Sequence, residues 1–288
     1  MTQPAKLIGT VSDTARWVAF YRAMESERPD AIFHDPYARR LAGEQGEAIV
    51  QAMPQGKAFA WPMIVRTAVM DEIILRSIEQ EGVLGVLNLA AGLDARPWRL
   101  PLPPEFRWVD VDLPVMLDHK ESVLQGEHPK CHYEGIRLDL ADVAGRRALF
   151  HRVAGEVERL LVITEGLLVY LTADAVAGLA QDLHAEPNIR LWLSDLASPA
   201  LLKMLAKQWG PMLAAGNAPM RFAPAESTAF FEPYGWQERE YRPMFDESIR
   251  LNRTMRFARF WRFVGNFFPK KRREEFKRFS GIILLERR

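Results

Sequence analysis

Beyond Gly82 the hydrophobic residues of this chain come in short, nearly unbroken runs: GVLGVLNLAAG, FRWVDVDLP, HYEGIRLDL, RLLVITEGLLVYL and IRLWLSDLA. Strands buried on both faces of a sheet need such runs, and the longer stretches between them have helical periodicity. The alternation predicts right-handed βαβ units around five parallel strands. Two later segments differ. GWQEREYRP alternates like a strand with one wet face, and SGIILLERR is an apolar strand ending in charges, so these two are expected to close the sheet as a hairpin-like pair. Before Gly82 the period is helical, with Trp17, Phe20, Tyr21 and Met24 on one spacing and Ile64, Val65, Ile73, Ile74 and Ile78 on another. Pro29 and Pro36 interrupt between them, where Asp35 is positioned to cap a short helix. The expected organisation is a single domain over 1–288, with a helical cover (1–81) on an α/β core (82–288). GPMLAAGNAPMRFAPAES reads as a loop with short helical pieces.

Charge adds one feature. The net charge of +1 commits the chain to neither nucleic acid nor acidic ligands, yet the segment 250–278 holds eleven Lys and Arg against two Glu, leaving +9 there and −8 elsewhere. Arg250, Arg253, Arg256, Arg259 and Arg262 recur every three residues and so spiral round a helix, a poor arrangement for lying flat on a membrane. Phe257, Phe260, Trp261, Phe263, Phe267 and Phe268 interleave with them. One reading is a helix beside the sheet whose arginines are solvated or paired to the acidic remainder. The other is recognition of an anionic substrate or of nucleic acid.

Other chemistry is thin. A single Cys131 excludes an internal disulfide, the N-terminus lacks signal-peptide texture, and no apolar run approaches the roughly 18 residues of a membrane span, so a cytoplasmic, unanchored protein is expected. Of the six histidines (His34, His119, His128, His132, His151, His184) only His128 and His132 stand at HxxxH spacing, with Pro129 between them to oppose a shared helix face, and no HExxH occurs, so no metal site is expected; His34 adjoins Asp35 and could support a site only indirectly, through that neighbour. No GxSxG elbow occurs.

The first strand ends in LAAGLD, the turn where open parallel sheets bind ligands. The glycine fingerprint of a dinucleotide site is missing, and Asp94 would repel a pyrophosphate. There remain Gly92 and, eighteen or twenty residues on, Asp110 or Asp112, an acid suited to both hydroxyls of a ribose. The turn therefore suits an adenosine with a cationic or zwitterionic appendage, such as S-adenosylmethionine. The alternative is that Gly92 only turns the chain and Asp110 or Asp112 caps the next element.

In order along the chain, VLNLAAGLDARPWRL, WVDVDLP, LDL and ITEGLLVYL resemble the leucine carboxyl methyltransferase-like family of S-adenosylmethionine-dependent methyltransferases, in particular its bacterial branch and the polyketide O-methyltransferases; TARWVAFYRAMESERPDAIFHDPYARRLAG resembles that branch too. The resemblance implies a Rossmann-like seven-stranded methyltransferase sheet, mostly parallel with the last strand antiparallel, and an N-terminal helical addition over the site. It implies that Arg66 pairs with the cofactor carboxylate, that Ala90 and Gly92 form the first turn, and that Asp112 binds the ribose. Asp139 and Leu140 would flank the adenine, Glu165 would meet the methionyl end, and Arg16 would be a basic residue of the N-terminal segment. One position departs: the first glycine of the family's L-G-A-G pattern is Ala90 here, which carries a steric penalty if that residue needs φ > 0.

Methyl transfer from a sulfonium needs alignment and exclusion of water, and a carboxylate acceptor, already ionised near neutral pH, needs no base. A phenol would be helped by one. Glu165 then reads as a cofactor ligand. Tyr170 is the sole catalytic candidate, with a core role its rival. The expected activity is O-methylation of a carboxylate or hydroxyl of a small-molecule acceptor. The rivals are a silent adenosine-ligand or nucleic-acid binding module and an NAD-dependent oxidoreductase, the latter disfavoured by the broken glycine pattern.

Overall fold

The structure, a computed structural model, describes residues 12–53, 56–215, 219–255, 262 and 269–288. Arg256, Arg259 and the aromatics Phe257, Phe260, Trp261, Phe263, Phe267 and Phe268 of the basic segment lie outside these residues.

All seven expected strands are present in one sheet, ordered β3-β2-β1-β4-β5-β7-β6. The strands β1 (Gly85–Leu89), β2 (Arg107–Asp112), β3 (His132–Arg137), β4 (Leu160–Thr164) and β5 (Ile189–Ala197) are parallel. The final strand β7 (Ser280–Arg287) runs antiparallel to both β5 and β6 (Trp236–Pro243). The pair expected to be hairpin-like is antiparallel, but residues 244–279 intervene, and β7 inserts beside β5 and leaves β6 at the edge. Chain order reverses between β1 and β4, the switch point at which a cleft opens beyond the strands' carboxyl ends.

The buried runs sort by parity, as a pleat demands. Leu87, Leu89, Val109, Val111, Val162, Trp192, Ile283 and Leu285 face one core. Val86, Trp108, Leu161, Ile163, Leu193, Ile282 and Leu284 face the other. The second is closed largely by α3 (Ala60–Glu81), which stops at Gly82 in the left-handed conformation, φ 66°. The first is closed by α6 (Val143–Glu156) and α7 (Ala173–His184), capped by Asp142 and Thr172. The run RLLVITEGLLVYL yields a strand only to Thr164: Gly166 turns the chain at φ +66°, and Leu168–Tyr170 is a 3-10 turn.

A third cluster joins α1 (Ser12–Ser26) and α2 (Ala38–Ala52) to α4 (Arg96–Arg99) and α5 (Pro114–Val123), so the N-terminal helices lie over the carboxyl end of the sheet. Buried ion pairs fasten them. Arg22 donates to Asp35 (2.9 Å), and Arg253, just beyond α9 (Met244–Arg250), donates to Glu25 (2.8 Å). Asp35, expected to cap a helix, accepts from the Tyr37 N–H just ahead of α2 and is otherwise taken up by Arg22. Arg16 does not reach the cleft. Its guanidinium lies 3.0 Å from His119 Nε2 of α5, the same nitrogen that faces the Leu41 carbonyl at 3.3 Å. No helix among the described residues is long and apolar enough to cross a membrane.

Burial lowers the His119 pKa, and nearby Arg16 lowers it further against the Leu41 carbonyl. A base whose folded pKa lies below its unfolded value binds fewer protons when folded, so stability is complete above about pH 6.5 and falls as pH drops below it. His184 is lowered too, by burial and Arg287. Denaturant midpoints between about pH 5 and 8 should therefore drop on the acid side, and His119→Gln should show a shallower drop than wild type. Equal slopes would rule the His119 contribution out.

Candidate active site

The turn after β1 is built from left-handed backbone. Ala90 has φ 54° and Gly92 φ 53°, so the departure from glycine falls at a position that does need positive φ. Ala90 adopts it at a cost of about 1–2 kcal/mol. At Gly92 a Cβ would also come within 3.2 Å of the Ala15 side chain, so the missing side chain lets α1 lie against the turn.

The two acids at the end of β2 separate clearly. Asp110 is fully buried and spent: it accepts from Lys120 (2.5 Å), Trp108 (2.8 Å) and Asn88 (3.0 Å). Asp112 accepts the Gly92 N–H at 2.6 Å and the Leu113 N–H at 2.7 Å and lines the cleft. Each of its oxygens keeps a further acceptor site, so the carboxylate is oriented before any ligand arrives. Burial raises its pKa above the ordinary value despite those two N–H donors. Beside it, the 138–141 turn is held by Leu138 N–H to the Asp112 carbonyl (2.9 Å) and by Ala141 N–H to the Asp139 carboxylate (2.9 Å). Leu140 lines the wall there, its carbonyl accepting from Arg146.

Across the switch point Glu165 leaves β4 into a chain of alternating charge. Arg96, 1% exposed, donates to Asp71 (2.6 Å), Asp94 (2.6 Å) and Glu165 (2.8 Å). Arg99 also holds Asp71, and Arg66 lies 3.0 Å from Glu165 and 3.2 Å from Asp195. Asp195 in turn accepts the Gly166 N–H at 2.6 Å. Burial opposes ionisation of Asp94 and Glu165, but Arg96 first, with Lys120 near Asp94 and Arg66 near Glu165, outweighs it and holds both pKa values below the ordinary range. Arg66 Nε, although close to Glu165, is misaligned and is a buried donor with no hydrogen bond.

These residues line one cavity of about 970 Å³. That is at the top of the roughly 300–1,000 Å³ range of ligand pockets, so two ligands have room side by side. Arg66, Ala90, Gly92, Asp112, Asp139, Leu140, Glu165 and Tyr170 all border it. So do Asp94 and Asp195, making five carboxylates against Arg22, Arg66 and Arg146, with Arg96 just behind the wall. A net negative lining opposes a phosphate and favours a cation. Apart from Thr14, Asn88 and Ser280 the rest of the lining is apolar and aromatic, from α1, α3 and the segments that flank β5, β6 and β7. No histidine lines it, and among the described residues no group of three or more His, Cys, Asp or Glu is placed to hold a metal. His34 is exposed. Tyr170 packs against the N-terminal helices and hydrogen-bonds with Thr14; burial raises its pKa, outweighing Thr14 and Arg66.

Sequence reasoning missed Asp71, Arg96, Arg99, Lys120 and Asp195. Asp195 carried the same signal as Asp112 and Glu165, an acid at the carboxyl end of a buried strand. Arg96 stood in the quoted DAR, where the side chain's reach to three carboxylates has no periodic signature. In the basic segment, Arg250 at the end of α9 pairs with Glu72 and Glu247, and Arg253, beyond that helix, is buried on Glu25, so both are paired to acids as one reading expected, although only the first is helical.

A parallel sheet reversing at β1 and β4, an antiparallel last strand inserted before the edge, and a carboxylate-rich cleft at the switch point define a Rossmann-like methyltransferase fold. A DUF574 family protein from Streptomyces avermitilis superposes with a TM-score of 0.61 at 13% identity, over 96% of this chain and 97% of that one. The chain belongs to the leucine carboxyl methyltransferase family, whose profile matches residues 15–184. Two relatives carry the name of S-adenosyl-L-methionine-dependent methyltransferases: one from Parafrankia, 36% identical over 64% of this chain and 63% of its own length, and one from Frankia alni, 33% identical over 78% and 82%. The match thus spans less than two thirds of the Parafrankia protein.

The backbone accounts for one testable effect. Ala90→Gly should raise stability by about 1 kcal/mol by relieving the left-handed strain, whereas most substitutions destabilise. Urea unfolding measures it, and a loss of stability would contradict the strain.

Proposed function

We propose that the protein transfers the methyl group of S-adenosylmethionine to an oxygen of a small-molecule acceptor, and that this oxygen belongs to a carboxylate. The observation that carries the reading is the composition of the cleft: an anionic end organised on Asp112 and Glu165, opening into an apolar chamber that holds no group suited to act as a base.

The residues fit the cofactor. Asp112, oriented by two backbone N–H groups, would accept from the ribose hydroxyls, with Leu140 and the 138–141 turn beside the adenine and Asp139 at that rim. The unbonded Nε of Arg66 is a donor for the amino-acid carboxylate, while Glu165 and Asp195 would receive the ammonium. When bound, the cofactor supplies a methyl group on a sulfonium. The chain's own work is to hold the acceptor in line, exclude water with the N-terminal helices, and surround the positive end with carboxylates kept ionised by Arg96 and Arg66.

The depressed pKa of Glu165 and the raised pKa of Tyr170 make both poor bases near neutral pH. A carboxylate needs none, since it is ionised above about pH 5. Tyr170 then bounds the cleft without transferring a proton.

Transfer of labelled methyl from S-adenosylmethionine to aryl and alkyl carboxylates should be detectable, with kcat nearly flat from about pH 6 to 9. A rate climbing about tenfold per pH unit with a phenol, and no carboxylate turnover, would reassign the acceptor to a hydroxyl. Asp112→Ala should weaken cofactor binding about 10- to 100-fold through the lost charged hydrogen bonds; unchanged affinity would remove Asp112 from the site.

A further inference from the structure

The residues assigned to the cofactor are only some of those that line the cavity. Its lining there includes Trp17, Trp61, Met220, Phe222, Met244 and Phe245, large apolar side chains that carry no charge. Seven of the chain's eleven methionines border the cavity. Unbranched, polarisable methionines adapt to apolar bodies of varied outline. Four large apolar lining residues are also solvent-exposed: Leu113 at 42%, next to Asp112, and Met204 at 44%, Met255 at 45% and Phe276 at 53%, which we take to mark the mouth of the chamber. Phe276 contacts Phe245 at 5.3 Å and Phe279 at 6.4 Å, an aromatic path from the surface inward.

Cations neighbour two of these residues. On α8 (Pro199–Ala215) Lys207 stands one turn beyond Met204, and on α10 (Lys270–Lys277) Arg273 stands one turn before Phe276, each a surface neighbour of its apolar partner. Both are exposed and have no carboxylate partner among the described residues. The same holds for Lys270 and Lys271, and the acids of α10 are Glu274, which meets Lys277, and Glu275. An apolar entrance collared by unpaired cations recognises one kind of molecule.

We propose that the acceptor is an anionic amphiphile, a carboxylate on an apolar body of long-chain or fused-ring size. The collar draws in its charge and the methionine and aromatic chamber holds its body. This inference rests on the proposed function, since it names the substrate class of that cleft. It also accounts for release: methylation converts the anion to a neutral ester, which the collar no longer attracts.

Binding is read without turnover from the quenching of Trp17 and Trp61 by ω-bromo alkanoates added to the full-length protein. Affinity should rise about fourfold per CH2 until the chamber is filled. The Lys207→Glu, Arg273→Glu double variant should weaken bromododecanoate about three- to tenfold at low salt and leave bromododecanol unaffected. Free bromododecanoate is expected to quench. Quenching only from mixed phosphatidylcholine and phosphatidylglycerol vesicles would keep the chemistry and make the source a lipid surface. Affinity independent of chain length, or a bromoalkyl trimethylammonium bound as tightly as the carboxylate, would overturn the proposal. S-adenosylmethionine titrated into the same sample separates the two readings: if it binds while amphiphiles do not, only this inference fails, and if it does not bind, the proposed function fails.

Discussion

Arg96 is the side chain on which the cleft depends. Buried at 1% exposure, it bonds carboxylates from three places: Asp71 on α3, Asp94 on the turn after β1, and Glu165 after β4. Removing one partner of such a buried group typically costs about 3–5 kcal/mol, because the remaining charge is left uncompensated. The arrangement therefore gains less in net stability than in position. It fixes the two lips of the switch point relative to each other and keeps Asp94 and Glu165 ionised in a dry environment. Without that cation, burial would favour protonated acids and an electrically neutral cleft.

The same logic governs the ribose side. Lys120 neutralises Asp110 within the sheet, so Asp112, two residues on and facing the same way, carries the accessible charge. The strained turn at Ala90 brings the Gly92 N–H onto that carboxylate. Strain, ion pair and acceptor are thus one construction, and the N-terminal helices can sit on it because Gly92 offers no side chain to Ala15.

Much of this was legible in the sequence. The seven strands announced themselves by uninterrupted Val, Leu and Ile or by alternation, and the break after Asn88-Leu89 located the cleft. The choice between Asp110 and Asp112 was not legible, because it turns on Lys120, which reaches back from α5. Nor was the placement of Arg16, which helical spacing leaves free to face either the cleft or α5; the ring of His119 takes it. The insertion of β7 between β5 and β6 is a long-range pairing that no local pattern encodes. The apolar chamber was hidden too, because its wall gathers residues from α1, α3, α8 and the start of β7. The family resemblance supplied the identities of Arg66 and Glu165, which composition and spacing alone would have left among many buried charges.

With five carboxylates on its lining, the switch-point cleft is expected to select an adenosine bearing a positive charge over one bearing phosphates. Isothermal titration of the wild-type protein with S-adenosylmethionine and, separately, with NAD tests that selectivity directly. The predicted result is one-site binding of S-adenosylmethionine, with the negative heat-capacity change of apolar burial, and no measurable heat from NAD. Binding of NAD in preference, or of neither ligand, would contradict it.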